Sequence, residues 1–201
     1  MVGACCVWAR GIGELWRDPG AVGEVPNIWP TDAAEGLTLA QGSLTIVLAV
    51  HPRCPCTRAT INELERTLAR AGEQPTIYAL IFEPATDGDP NPDESFARTQ
   101  IRSRLSDLPG VVMVRDPGSE IASRFGAMTS GHTLVYDVDG SLKFSGGLTP
   151  TRAHEGPNTG SASLIELLNG GPVIASDAPV YGCPLCPDSL TTTCPPNEVA
   201  P

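Results

Sequence analysis

The stretch 44–72, LTIVLAVHPRCPCTRATINELERTLARAG, decides the fold. Leu44–Val50 is an unbroken apolar run rich in β-branched residues, the pattern of a strand buried on both faces. The hydrophobic period then changes across His51-Pro52-Arg53-Cys54-Pro55-Cys56. Beyond it Ile61, Leu64, Leu68 and Ala71 recur at helical spacing, and Gly72 can end the helix. The expected helix runs from about Thr57 to Ala71. A buried strand that feeds a helix puts its connecting turn at the carboxyl edge of the sheet, the crevice where open α/β sheets build their sites. Here that turn carries two cysteines.

Working outward, Thr76–Phe82 (TIYALIF) reads as a second buried strand, and a Pro/Asp loop over 84–92 precedes a helix that Asp93 can cap and that continues to about Leu105. Val111–Val114 is a short third strand and Ser119–Phe125 a brief helix ended by Gly126. Thr133–Asp137 and Ser141–Ser145, joined by Val138-Asp139-Gly140, form a hairpin, since Asp-Gly supplies the positive-φ turn residues. Ser161–Leu168 is a final helix. The order β-α-β-α-β-α-β-β-α demands right-handed parallel crossovers early and an antiparallel edge late. That is a thioredoxin-like α/β layout: a central mixed sheet with helices on both faces. The expected organisation is an irregular leader and lead-in over 1–42, the domain over 43–170, and a Pro/Cys-rich tail over 171–201.

Composition agrees with one folded unit and loop-rich flanks. Of 201 residues 41% are hydrophobic, while 21 glycines and 20 prolines crowd into 18–42, 84–92 and 146–201. Thirteen basic against 23 acidic residues give a net charge of -10, with no Lys/Arg cluster, so nucleic-acid binding is excluded as a function class. Met1–Trp16 carries Arg10 and Glu14 and holds neither a membrane span nor a complete signal peptide; Val2-Gly3-Ala4-Cys5 is a partial lipoprotein-type pattern without the apolar region that should precede it.

The seven cysteines fall in groups: Cys5 and Cys6, Cys54 and Cys56, and Cys183, Cys186 and Cys194. Grouping points to redox chemistry or metal binding more than to an evenly spread disulfide framework. At a helix N-terminus Cys54 meets unpaired backbone N–H groups and the positive end of the dipole, with Arg53 and Arg58 nearby. Both favour thiolate, the nucleophilic form, so Cys54 is the expected attacking sulfur. Cys56 is the natural resolving partner, although joining residues two apart closes a tighter ring than Cys-x-x-Cys. His51, Cys54, Cys56 and His132 would also make a soft sulfur/nitrogen set suited to copper(I) or zinc. No phosphate loop, dinucleotide fingerprint or nucleophilic-serine elbow is present. His51, where a peroxidatic cysteine would have Thr or Ser three residues before it, argues against a peroxidase.

Three segments, HPRCPCTRATINELERTLAR (51–70), SRFGAMTSGHTLVYDVDGSLKFSGGLTPTRAHEGPN (123–158) and PVYGCPL (179–185), resemble the RedB-type thioredoxin-like proteins of Planctomycetes and other bacteria, over roughly residues 25–186. The resemblance implies a thioredoxin-like domain with Cys-x-Cys in place of Cys-x-x-Cys. It also implies redox exchange with protein thiols or disulfides and with an electron donor or acceptor, in an extracytoplasmic compartment. Members of that group often carry an N-terminal membrane-spanning segment, which this sequence lacks. Thioredoxins place a cis-proline opposite their cysteines; here the corresponding stretch is Thr129-Ser130-Gly131-His132-Thr133, and His132 can face Cys54 as a base, thiolate partner or metal ligand.

In the tail, Cys183-Pro184-Leu185-Cys186 followed by Cys194 is read three ways: a tail disulfide, a relay to Cys54, or part of a metal site. His154 and Glu155 stand in a polar loop that either lines the site or is plain surface. Asp87, Asp89, Asp93 and Glu94 lack calcium-loop spacing and read as a solvated loop. The expectation is therefore a thiol–disulfide oxidoreductase without a cofactor, the alternative being a copper- or zinc-holding module that is not an enzyme.

Overall fold

The apolar run becomes β1 (Thr45–Val50), buried along its whole length. In the computed structural model, which describes residues 18–32, 34–84 and 100–185, β1 lies inside a six-stranded sheet. β2 (Thr76–Glu83) pairs with it in parallel, and β3 (Val111–Pro117) pairs in parallel with β2. On the other side β4 (Thr133–Tyr136) and β5 (Leu142–Gly146) add antiparallel. A two-residue β6 (Asp177–Ala178) closes the order β3-β2-β1-β4-β5-β6. Helices α1 (Pro55–Leu68), α2 (Gln100–Ser106), α3 (Glu120–Arg124) and α4 (Thr159–Leu168) connect or follow the strands. The chain has the thioredoxin-like α/β fold that the order of its elements predicts, with β6 added from the segment expected to be tail.

Alternation along β1 divides the core. Ile46, Leu48 and Val50 point into one cluster with Ile61, Leu64 and Leu68 of α1 and Leu164 and Leu168 of α4. Val47 and Ala49 point into the other with Trp29, Phe125, Leu134 and Tyr136. The second face is covered by the short α3 together with the lead-in. Trp29 is 5% exposed and meets Phe125 and Tyr136 edge-on at 5.2 Å each. Tyr136 donates its hydroxyl to the Pro26 carbonyl (3.0 Å) and Tyr78 to that of Thr38 (3.0 Å). Five residues of α3 cannot cover a sheet face, so Val25, Trp29, Ala34, Leu37 and Leu39 supply the missing layer.

Boundaries moved where side chains outside the local pattern decide them. α1 starts two residues before the expected Thr57, because Pro55 takes the first helical position, where a missing N–H costs nothing, and Cys54 becomes the N-cap. α3 is capped by Asp116 rather than Ser119: its carboxylate accepts from Ile121 N (2.8 Å) and Ala122 N (3.0 Å), while Ser119 turns left-handed at φ 60°. The expected β4–β5 hairpin is present, with Gly140 at φ 83° and Ser141 N donating to Asp139 Oδ1 (2.8 Å). Only Gln100–Ser106 of the helix expected from Asp93 is described; Asp93, the acidic loop before it, the N-terminal leader with Cys5 and Cys6, and Cys186 and Cys194 lie outside the described residues. No helix among the described residues is long and apolar enough to cross a membrane.

Because the lead-in is a core layer, Trp29→Ala will lower the unfolding free energy by about 3–5 kcal/mol, the usual cost of a large aromatic deleted from a core. Urea denaturation measures it; a change below ~0.5 kcal/mol, typical of surface positions, would show the lead-in to be an appendage.

Candidate functional site

β1 ends at Val50, and the chain turns at once. His51 O accepts from Cys54 N (3.0 Å), closing a turn with Pro52 at its second position, and α1 begins at Pro55. Cys54 takes an extended conformation (φ -85°, ψ 123°) as the N-cap, so its sulfur stands over the first turn of the helix. Cys56 lies within that turn. Both are buried, at 1% and 4% exposure.

The third sulfur comes from the far end of the chain. Cys183 Sγ is 2.7 Å from Cys54 Sγ, and Cys183 N donates to the same sulfur at 3.4 Å. Cys54, Cys56 and Cys183 are free thiols, and the latter two both hydrogen-bond to Cys54. Their protons are shared unequally. The Cys183 thiol, then the Cys56 thiol, donate to Cys54 and hold its pKa far below the ordinary thiol value, against the cost of burial, with help from the N–H groups of Thr57 and Cys183. Hydrogen bonding to that thiolate and burial push the other two far above it. These directions favour charge on Cys54 over Cys56 and Cys183. In an environment this buried, three thiolates together would be prohibitive.

The cation at this centre is Arg152, which lowers the pKa of both Cys56 and Cys183 as a lesser contribution. Its guanidinium donates to Gly182 O (2.6 Å), and its Nε is buried without a partner among the described residues. Next to it Ala153 adopts φ 55°, a left-handed conformation costly for a residue with a Cβ, and its backbone N–H favours thiolate at Cys56. Arg53 and Arg58, expected to supply the charge, are exposed on the outer side of the turn and helix. Arg152 escaped notice in the sequence because nothing local links it to a cysteine almost a hundred positions earlier.

The proline-free stretch 129–133 has a defined role. Gly131 N donates to Ala49 O (2.7 Å) and Ala49 N to His132 O (3.0 Å), extending the pairing past the end of β4. Ser130 is thereby set beside the cysteine turn: its hydroxyl accepts from His51 N (2.8 Å) and hydrogen-bonds Thr57 Oγ1, and its N–H donates to Cys183 O (2.9 Å). His132 is fully buried, and its Nε2 pairs with Ser145 Oγ on β5 (2.8 Å). His51 stacks on Phe82 at 5.1 Å and accepts from Arg53 N at Nδ1 (3.3 Å); burial lowers its pKa. His154 is exposed, and Glu155 binds Asn62 and Arg66 on α1. Among the described residues no group of three or more His, Cys, Asp or Glu side chains is arranged to hold a metal ion.

Burial holds the His132 pKa near 4, against 6.5 for a free histidine. The unfolded chain thus binds a proton at a pH where the folded one does not. The stability this gives is complete above pH 6.5 and is lost as pH falls through about 4. The His132 contribution to the unfolding free energy will drop by up to ~3 kcal/mol over that window. Asp116 opposes it: burial pushes its carboxyl up to about 6, so it adds stability as pH falls through the same range. His132→Gln, which keeps a polar group for Ser145 but does not titrate, will flatten this limb; an unchanged acid limb would contradict the assignment.

No family model matches the chain, and no curated protein matches it by sequence. Solved structures match it in fold. An uncharacterized conserved protein from Geobacillus kaustophilus superposes with a TM-score of 0.57 at 20% identity, covering 82% of this chain and 91% of that one. A hypothetical protein from Sinorhizobium meliloti 1021 gives 0.52 at 16% identity, covering 83% and 97%. A secreted disulfide oxidoreductase from Mycobacterium tuberculosis overlays more loosely, with a TM-score of 0.37 at 17% identity over 51% of this chain and 67% of that one. At these identities the likeness is one of fold.

Proposed function

We propose that this protein is a thiol–disulfide oxidoreductase in which Cys54 is the attacking thiolate and Cys183 the resolving cysteine. The observation that carries the reading is the 2.7 Å approach of Cys183 Sγ to a Cys54 that holds the negative charge. The Cys54 thiolate attacks one sulfur of a substrate disulfide; that bond breaks, the distal sulfur leaves as thiolate and takes a proton, and a mixed disulfide remains. Cys183 then gives up its proton, attacks Cys54 Sγ and releases the second substrate sulfur. The substrate gains two electrons, and the protein ends with a Cys54–Cys183 disulfide, which a dithiol donor must reduce for the next turnover. Run in reverse, the same steps oxidise a substrate dithiol.

Cys183 suits the resolving role better than Cys56 on geometric grounds. A bridge between residues 54 and 56 closes a strained ring inside the first helical turn, whereas a bridge to residue 183 joins two separate segments. Cys56 acts instead as a hydrogen-bond donor that keeps charge on Cys54. An extracytoplasmic compartment and protein thiol or disulfide partners accord with this chemistry and with the RedB-type resemblance. The other reading is a module that holds copper(I) or zinc through Cys54, Cys56 and His51 or His132; the His51 ring, stacked on Phe82, interacts with Cys54, while Nε2 of His132 is engaged by Ser145.

Ultraviolet thiolate absorbance will titrate at Cys54 well below the ~8.5 of a free thiol. Insulin-reducing or dithiol-oxidising activity will fall ~1,000-fold or more in Cys54→Ser. Cys183→Ser, which replaces the largest thiol donor to Cys54 with a hydroxyl, will accumulate the mixed disulfide. A Cys54 pKa near the free-thiol ~8.5 with no activity of either kind would contradict the reading. Stoichiometric metal after anaerobic reconstitution, lost in Cys54→Ser, would favour the metal module.

A further inference from the structure

At 1% exposure, Cys54 cannot be touched by a protein disulfide as the structure stands. What covers it is a short extended segment, 182–185, laid along the loop before β4. Ser130 N donates to Cys183 O (2.9 Å), Leu185 N donates to Met128 O (2.8 Å), and Thr129 and Pro184 form an antiparallel bridge. Cys183 delivers its sulfur to Cys54, and two residues on Leu185, 2% exposed, enters the apolar cluster of the second face. The contact is backbone to backbone. A Cβ placed on Gly182 would lie 1.8 Å from Ser130 O. Upstream, Gly20 N donates to Val180 O (2.7 Å) and Arg152 to Gly182 O (2.6 Å).

These features are what an extended cysteine-bearing polypeptide would need in order to present its sulfur to Cys54. Its backbone would be read by Met128 and Ser130, and an apolar side chain two positions after its cysteine would fill a pocket. We infer that residues 182–185 are a built-in stand-in for the substrate. A polypeptide disulfide reaches Cys54 by displacing them and pairing antiparallel with Met128–Ser130 in their place. The segment returns after the mixed disulfide forms and brings Cys183 back to resolve it. The inference rests on Cys54 being the attacking thiolate and adds the recognition mode, the preferred side chain and a self-blocking resting state. Only a segment held by a few backbone bonds and one apolar anchor can be exchanged in this way.

The test uses the full chain in the Cys183→Ser background, so that mixed disulfides persist. The probe is a short extended peptide whose single cysteine is capped by a thionitrobenzoate disulfide. Cys54 attacks the peptide's sulfur, the capping bond breaks, and the coloured thiolate is released. Attachment to Cys54 itself is followed by mass spectrometry of the peptide that carries it. Gly182→Ala pushes the segment off Ser130 without touching a sulfur, and Leu185→Ala removes its anchor, a milder change should the first disturb folding. Either is expected to speed attachment at least about tenfold, because the apparent rate scales with the fraction of molecules whose site is open. With Leu185→Ala, a probe carrying Leu two residues after its cysteine will react about tenfold faster than one carrying Asp there, as an apolar pocket left vacant requires.

Rates unchanged or slowed in both variants, or no preference between the probes, would show the segment to be a fixed wall and overturn the inference. Cys54 reacting normally with small disulfides in that case would leave the oxidoreductase reading intact. A Cys54 inert toward every disulfide, in every variant, would overturn both.

Discussion

The junction between β1 and α1 is the constraint on which the rest of the structure depends. β1 is held by β2 in parallel and β4 antiparallel, and it is buried throughout, so neither its register nor its depth can drift. The turn His51–Cys54 must therefore emerge at a fixed point on the carboxyl edge. Pro55 in the first helical position then makes Cys54 the residue whose side chain stands over the unpaired N–H groups of α1. Location and polarisation of the sulfur follow from the same few residues.

Burial makes that sulfur's charge a shared problem. A thiolate cut off from water needs hydrogen-bond donors, and the fold gathers them from three places: Cys56 on α1, Cys183 from the segment after β6, and the backbone N–H groups of Thr57 and Cys183. Each donor thiol is in turn held in its protonated form by the charge it serves. Ser130 ties the three regions together by bonding His51, Thr57 and Cys183 at once. The backbone conformation of Ala153, at φ 55°, is the local cost of bringing the 151–156 loop onto Cys56. Strain of this kind persists where surrounding packing over-determines it.

How much of this could be read from the sequence follows the range of the interactions. β1, β2 and the β4–β5 hairpin were legible because their signals, apolar runs and an Asp-Gly turn, are local. So was the place of Cys54, since a strand followed by a helix has one connecting edge. The lead-in was not: Trp29 and Leu37 are single apolar residues among prolines and glycines, with no period to announce a core layer. His132 was legible as special but not in its partner, because Ser145 lies across a strand pair whose facing only the register sets. The return of the tail was the least visible feature. Its trace in the sequence is glycine: Gly146, Gly147 and Gly182 each sit where a Cβ would strike the backbone of Ala178, Pro179 and Ser130 respectively. A glycine signals that something passes close without saying what.

Which sulfur Cys54 meets decides its chemistry. The most direct measurement is mass-spectrometric mapping of the disulfides in mildly oxidised, natively folded protein, with free thiols blocked before digestion. A bridge between Cys54 and Cys183, with Cys56 recovered as a blocked thiol, is the predicted result. A Cys54–Cys56 bridge, or Cys54 recovered unpaired while Cys183 is bonded elsewhere, would contradict it.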